Sequence, residues 1–523
     1  MLHLFPFYLA LIVAIVLLIM LAKRIRVAYP ILLVLAGLAI SFVPGLPSIQ
    51  INPDLIFLIF LPPLLYEAAW AISWKELWKW RRIIGSFAFV VVFLTALAVA
   101  WASSMFIPGF TLALGFLLGG IVSPPDAVST GAILNFVKIP KRMESMLEGE
   151  SLLNDASSLI IFQFALIAVS TGQFSAQTAA LSFGWMVLGG AGVGLAIAYA
   201  FFKMHKFLPT DANTDLVFTL IAPYLMYIVA EEVHSSGVLS VVSGGLYLAQ
   251  RRHLFLNSSS RLRAANVWES LSFILNGLVF MLIGLDLPEI IAGLDGISIA
   301  DAIGYGVLIT LVLIICRLLS AFGAIVVTMI ARNFITVADD RYPGLKGPFV
   351  LGWAGMRGVV SLAAALSIPV HLSHEVTFPQ RNLILFITFV VILLTLVVQG
   401  LTLPYFIRTF NLPDADHHLP EEEDYHVMYK KLAADSLTYL KTHYATELTE
   451  HPALQQLVRK WEDSNQLLDD EMHIADHKTI YLQMLNQQRH WLRSWNKNPT
   501  TNEEVIRRHL LRLDLEEERI HYS

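Results

Sequence analysis

Gly149-Glu150-Ser151-Leu152-Leu153-Asn154-Asp155 places two carboxylates, a hydroxyl and an amide in a stretch that otherwise reads as bilayer-spanning. An ionisable group at membrane depth costs roughly 2.5 to 3.5 kcal/mol on insertion scales, so such a group is a functional candidate by default. On a helix, Ser151, Asp155 and Ser158 stand four and three residues apart and share one face. A carboxylate with two hydroxyls supplies the oxygen ligands that a hard monovalent cation such as sodium takes. Glu150 and Asn154 form a neighbouring stripe. Desolvation favours the neutral form of any carboxylate, so one acid in a dry site can hold either a proton or a cation. A group that binds two ions exclusively can exchange them.

A further acid closes the segment Gly119-Gly120-Ile121-Val122-Ser123-Pro124-Pro125-Asp126. The prolines remove backbone donors and bias the preceding residue away from helix, so this span should unwind around Ser123. Broken helices survive at membrane depth only where buried in protein or lining a cavity, and their freed carbonyls and half-helix ends are where transporters hold ions. A simple kink would need no acid directly after it. Gly352-Trp353-Ala354-Gly355-Met356-Arg357-Gly358 adds a cation about ten residues into another apolar span. That guanidinium needs an acid. Glu150 is the best candidate, since it would then leave Asp155 to titrate, and Asp126 is the competitor. Glu67 reads as an interfacial residue beside Trp70 and Trp74, with a place at the cytoplasmic mouth as the alternative. Arg317 and Asp286 read as helix-packing residues.

The elements that hold these residues are membrane spans. Hydrophobic residues make up 56% of the 523 and charged residues 15%, with a mean hydropathy of +0.63, which excludes a soluble protein of this length. The single cysteine, Cys316, permits no disulfide framework or thiolate cluster. Thirteen apolar windows precede Leu412, near 2–22, 28–46, 54–73, 83–107, 111–135, 145–170, 179–204, 212–231, 236–250, 265–287, 300–331, 347–368 and 381–406. The first is expected to be a retained span, having no basic leader or small-residue cleavage site. Lys and Arg cluster after the odd-numbered spans, which puts the amino terminus outside and the carboxyl end in the cytoplasm. Spans five and twelve then run in opposite directions, the pattern of an inverted repeat with both interrupted helices in corresponding positions. The fold class is therefore an all-α polytopic membrane protein, with a transmembrane domain over 1–411 and a small cytoplasmic helical domain over 412–523. Ten of the sixteen histidines fall in that second domain, including His417, His418, His426, His473, His477, His490 and His509, so it is a candidate pH sensor.

Together these residues resemble the cation:proton antiporter family of the bacterial NhaP-type and eukaryotic NHE-type exchangers. The resemblance runs through most of residues 1–410, on Phe60-Leu61-Pro62-Pro63-Leu64-Leu65-Tyr66-Glu67, Pro125-Asp126-Ala127-Val128, the acidic motif 149–155, Gly355-Met356-Arg357-Gly358 and Val398-Gln399-Gly400-Leu401-Thr402. It implies an NhaA-like antiporter fold with two crossed, interrupted helices. It also implies a homodimer in the cell membrane that exchanges sodium, or else lithium or potassium, for protons. By that resemblance the sodium ion sits at Asp155, assisted by Asp126, Ser151 and the backbone carbonyls near Val122 and Ser123. Asn154 braces the helix, and Glu150 pairs with Arg357. Asparagine at 154, where electrogenic relatives carry a second aspartate, implies one proton per cation and electroneutral exchange. The order Pro124-Pro125-Asp126-Ala127 departs from the family's common Asp-Pro order, which leaves open which carbonyls reach the ion. The implied partners are the cation, the proton, the bilayer and a second copy of the chain, with no cofactor, enzymatic activity or nucleic acid.

Two other classes compete. An intramembrane aspartyl protease on Asp126 and Asp155 would need a shared-proton dyad, and the chain has no Gly-x-Gly-Asp motif. A carrier of organic anions would line its cavity with cationic or neutral groups rather than acids. Potassium as the transported cation remains an alternative, because cavity size and dehydration geometry set that choice.

Overall fold

A computed structural model describes residues 5–43, 53–134, 136–172, 176–294, 296–333, 344–373, 376–412, 421–444 and 474–495, with helical positions between 452 and 459 and between 509 and 517. The chain divides into two compact units, Met1–Ala415 and Asp416–Ser523.

Backbone polar groups find no water in a bilayer, so a spanning chain satisfies them within helices. The first unit accordingly comprises α1 (Phe5–Ile25), α2 (Tyr29–Ser41), α3 (Pro53–Ala71), α4 (Trp74–Gly85), α5 (Val92–Phe106), α6 (Leu112–Val122), α7 (Ala127–Leu134), α8 (Lys141–Thr171) and α9 (Ala176–Phe207). There follow α10 (Ala212–Glu232), α11 (Gly237–Phe255), α12 (Ser258–Leu285), the short α13 (Leu287–Ala292), α14 (Ile299–Ala331), α15 (Lys346–Trp353), α16 (Val359–Leu366), α17 (Arg381–Leu394) and α18 (Gly400–Phe410). Two π-helical segments, Ser86–Val91 and Thr395–Gln399, join α4 to α5 and α17 to α18. A two-stranded antiparallel hairpin, β1 (His371–Ser373) with β2 (Val376–Thr377), precedes α17.

Among the described residues nine helical stretches are long and apolar enough to cross a bilayer, and α2 and Phe57–Ala71 are shorter apolar helices. The protein is thus a multi-pass, helical membrane protein. Two expected windows depart from a plain span. The ninth is α11, whose last turns carry Arg251, Arg252 and His253. The twelfth is two eight-residue helices, α15 and α16, on either side of a glycine-rich break.

Packing gathers the apolar side chains into two main clusters. One joins α1, α2, α6, α12 and α14 through α18 around residues such as Leu33, Leu117, Phe280 and Ile387; the other joins α3, α9, α10 and α11 around Tyr66, Met226 and Val241. α8 contributes to both, with Phe162 and Ala165 in the first and Leu152, Ala156 and Ile160 in the second. Glycines let α6 approach its two neighbours closely. A methyl at Gly119 would lie 2.6 Å from the Ala96 carbonyl oxygen of α5, and one at Gly120 would lie 2.8 Å from the Phe162 nitrogen of α8. Small residues allow such backbone contact where larger ones would separate the helices.

The second unit contains α19 (Glu421–His443) and α20 (Ile474–Trp495). Leu485, Leu492 and Leu513 form a small apolar cluster in it, and Arg489 pairs with Glu517. Of the histidines named above, His417, His418 and His473 lie outside the described residues, as do the side chains of His426 and His477. His490 and His509 are exposed.

Candidate functional site

Helix α6 stops where Pro124 and Pro125 withdraw two backbone donors, and α7 starts again at Ala127. Asp126 caps the restart. Its Oδ1 accepts from Val128 N at 3.1 Å, and its Oδ2 accepts from Ser129 N at 3.2 Å and Ser129 Oγ at 2.5 Å. These are orphan donors of the first helical turn, where a carboxylate also meets the positive end of the helix dipole. Two side chains of α8 tie the break down: Ser151 Oγ accepts from Ala127 N at 3.0 Å, and Asn154 Nδ2 donates to the Pro125 carbonyl at 3.1 Å.

The second break, Ala354 to Gly358, crosses the first in direct contact. Asp126 N donates to Met356 O at 2.7 Å, and Thr130 Oγ1 donates to Ala354 O at 3.0 Å. Arg357 Nε donates to Val122 O at 2.9 Å and its Nη2 to Ser123 O at 3.4 Å, while Nη1 donates to Gly355 O. Gly358 makes the crossing sterically possible, because a methyl there would lie 2.0 Å from Asp126 Oδ2. Two helix starts, α7 and α16, and two helix ends, α6 and α15, therefore meet in one place.

Glu150, Asn154 and Asp155 reach this region from α8, all buried. The expected pairing of Glu150 with Arg357 is not what forms. Arg317 of α14 holds Glu150 with both terminal nitrogens, Nη2 to Oε2 at 2.7 Å and Nη1 to Oε1. The reason lies in the backbone. Arg357 sits in irregular chain, and its donors are taken by carbonyls that the breaks have freed, whereas α14 is continuous and its carbonyls are already used, so Arg317 has its donors left for an acid. Arg317 also lies over the Phe87 ring at 5.1 Å. The carbonyls of Val122 and Ser123, expected to assist the ion, each accept one hydrogen bond from Arg357. Ser151 Oγ, expected to face the ion with Asp155, accepts from Ala127 N of the first break.

Asp155 differs from the other two acids. Its carboxylate accepts no hydrogen bond from any described residue, whereas those of Glu150 and Asp126 both do. Two further buried oxygens, Asn154 Oδ1 and Ser123 Oγ, have no partner among the described residues. With every group ionised, three carboxylates (Glu150, Asp126, Asp155) face two guanidiniums (Arg317, Arg357), a surplus of one negative charge. Sequence reasoning read Arg317 as a helix-packing residue but did not assign it to Glu150. Its signal was a cation well inside an apolar window of α14, equal in kind to that of Arg357.

A helical bundle built around two interrupted helices, with a donor-free carboxylate near their crossing, has the construction of a secondary transporter. The chain belongs to the sodium/hydrogen exchanger family, since residues 10–409 match the family described as sodium/hydrogen exchanger, transmembrane. It is 36% identical over 377 residues to a sodium, potassium, lithium and rubidium/H(+) antiporter of Bacillus subtilis (strain 168), over 70% of this chain and 56% of that protein. It is 34% identical over 384 residues to the protein of the same name from Bacillus pumilus (strain SAFR-032), over 72% of this chain and 57% of that one. The chain thus spans less than two thirds of the length of these relatives. The sodium proton antiporter MjNhaP1 from Methanocaldococcus jannaschii, solved at pH 8, shares the fold with a TM-score of 0.61 at 20% identity, covering 76% of this chain and 99% of that one.

Proposed function

We propose that the chain is a secondary active sodium/proton antiporter in which Asp155 binds either a proton or a sodium ion, and that alternating access carries the neutralised site across the membrane. The observation that carries this reading is the contrast among the three acids: Glu150 is held by Arg317, Asp126 by the first turn of α7, and Asp155 by nothing described. One proton or one monovalent cation cancels the surplus charge of the cluster, which supports electroneutral exchange of one for one. An empty, anionic Asp155 has no compensation for desolvation and does not cross. Asn154 Oδ1 and Ser123 Oγ complete the oxygen set around the cation, and Asp126 assists by its charge. The thirteen-span arrangement with inverted repeats, outside amino terminus and cytoplasmic carboxyl end belongs to the same proposal, as does a homodimer. The family membership favours ion exchange over the protease reading.

The test is dequenching of a pH dye in proteoliposomes titrated with sodium, lithium and potassium between mildly acidic and alkaline pH. Sodium should drive proton movement, and Asp155→Asn should abolish it while leaving a folded protein. Substantial sodium-dependent proton movement by Asp155→Asn would overturn the assignment.

A further inference from the structure

Helix α4, the π-helical segment after it and α5 form one stretch, Trp74–Phe106, of 33 residues. At 1.5 Å per residue this is about 50 Å, well beyond the roughly 30 Å hydrocarbon core. Its first turns therefore lie at headgroup level. Trp74 and Trp78 mark that level, stacked at 5.8 Å and both exposed, as interfacial aromatics are. A groove of about 760 Å³ runs between this stretch and the second half of α14. Lys79, Arg81 and Arg82 line it at the interfacial end; Leu94, Leu319 and Val327, each more than half exposed, line its apolar part. Arg82 and Leu94 are twelve residues apart, about 18 Å along the helix axis.

Cations at headgroup depth, continuous with an apolar trough of that length, fit one kind of molecule in a bilayer. We propose that this groove is a binding site for an anionic phospholipid, its phosphate at Lys79, Arg81 and Arg82 and an acyl chain against Leu94, Leu319 and Val327. The volume lies within the range of about 300 to 1,000 Å³ typical of small-molecule sites. Phe87 forms part of the groove wall and also supports the Arg317 guanidinium, so a bound acyl chain buttresses the ring behind the Glu150 pair.

Gly323 supplies the test. It lines the groove, and a methyl built on it meets nothing within 4 Å. Gly323→Phe therefore fills the trough, Gly323→Ala does not, and Val327→Trp is a second way of blocking it. The full chain, purified in neutral detergent and stripped of lipid, is offered phosphatidylglycerol, phosphatidylcholine or inorganic phosphate. Retained lipid is read by native mass spectrometry and thermal stability by unfolding. The wild type and Gly323→Ala should retain phosphatidylglycerol and gain stability from it, with phosphatidylcholine and phosphate giving neither effect. Gly323→Phe and Val327→Trp should lose retention, and Arg81→Gln should weaken it about fivefold, the share of one basic residue near a membrane surface. Equal retention by the blocked variants, equal retention of the two lipids, protection by phosphate alone, or loss of self-association without loss of lipid would each overturn the proposal. None of these readouts depends on ion exchange.

Discussion

Arg317 of α14 grips both carboxylate oxygens of Glu150 on α8, and that grip leaves Asp155, five residues farther along the same helix, as the acid of the crossing without a donor. Two carboxylates of one motif thus have separate duties. The pair is almost wholly buried, with 3% of each side chain exposed, so removing one member leaves an uncompensated charge.

Arg317→Met should therefore destabilise the protein by about 3 to 5 kcal/mol. Adding Glu150→Gln should restore most of that loss, because both charges then leave together. The same cycle with Arg357→Met in place of Arg317→Met should show little coupling to Glu150. Thermal unfolding in detergent of the single and double variants measures both, and a larger Glu150–Arg357 coupling would reverse the assignment of partners.

Asp126 is both a cap and a charge, and two substitutions separate these. Asp126→Ala removes the acceptor for three donors at the start of α7 and should cost roughly 0.5 to 2 kcal/mol, the range measured for helix caps. Asp126→Asn keeps an acceptor and should lose less stability. Both remove a negative charge, so both should raise the sodium KM for exchange. A normal KM in Asp126→Asn would remove Asp126 from the ion site.

Gly358→Ala should disrupt the crossing, since its methyl would lie 2.0 Å from Asp126 Oδ2. Overpacking of this kind costs typically about 1 to 3 kcal/mol, and here the atom displaced belongs to the site, so exchange should fall further than stability. Gly131→Ala on α7, where a methyl meets nothing within 4 Å, is the matched control and should gain roughly 0.5 to 1 kcal/mol. Dye dequenching and unfolding on the same preparations give both readouts.

Competition for one carboxylate has a defined pH signature. If Asp155 is the shared site as proposed, its protonation removes the cation's ligand, so as pH falls the apparent KM for sodium should rise, by about tenfold per pH unit once protons dominate the site. The limiting rate at saturating sodium should change far less. A KM independent of pH across the acidic limb of the activity profile would mean that proton and sodium bind different groups.

Much of this arrangement is legible before any coordinates. Pro124 and Pro125 announce the first break, because the loss of two donors is a local property of the chain. The glycines around Arg357 announce the second, and the apolar windows announce the spans. Partner choice is not local. Arg317 and Arg357 look alike in sequence, and only the meeting of the two breaks shows that one guanidinium is consumed by backbone carbonyls while the other is left for Glu150. Ser151 follows the same logic: helical spacing puts it on the face of Asp155, but the Ala127 amide opposite it belongs to a segment 24 residues away. Side chains that serve freed backbone are invisible to periodicity, which reads only the element that carries them.

The two π-helical segments have a common setting. A π turn is an inserted residue that opens the helix ladder at one point, and such turns are often found at functional sites. In the first, Ala88 O accepts from Ser157 of α8, and in the second, Thr395 Oγ1 accepts from Arg357 N. The first segment is thereby tied to α8 and the second to the Ala354–Gly358 break. The two departures from regular helical bonding therefore sit where these helices meet α8 and the second break, which concentrates the chain's irregular backbone around the candidate site.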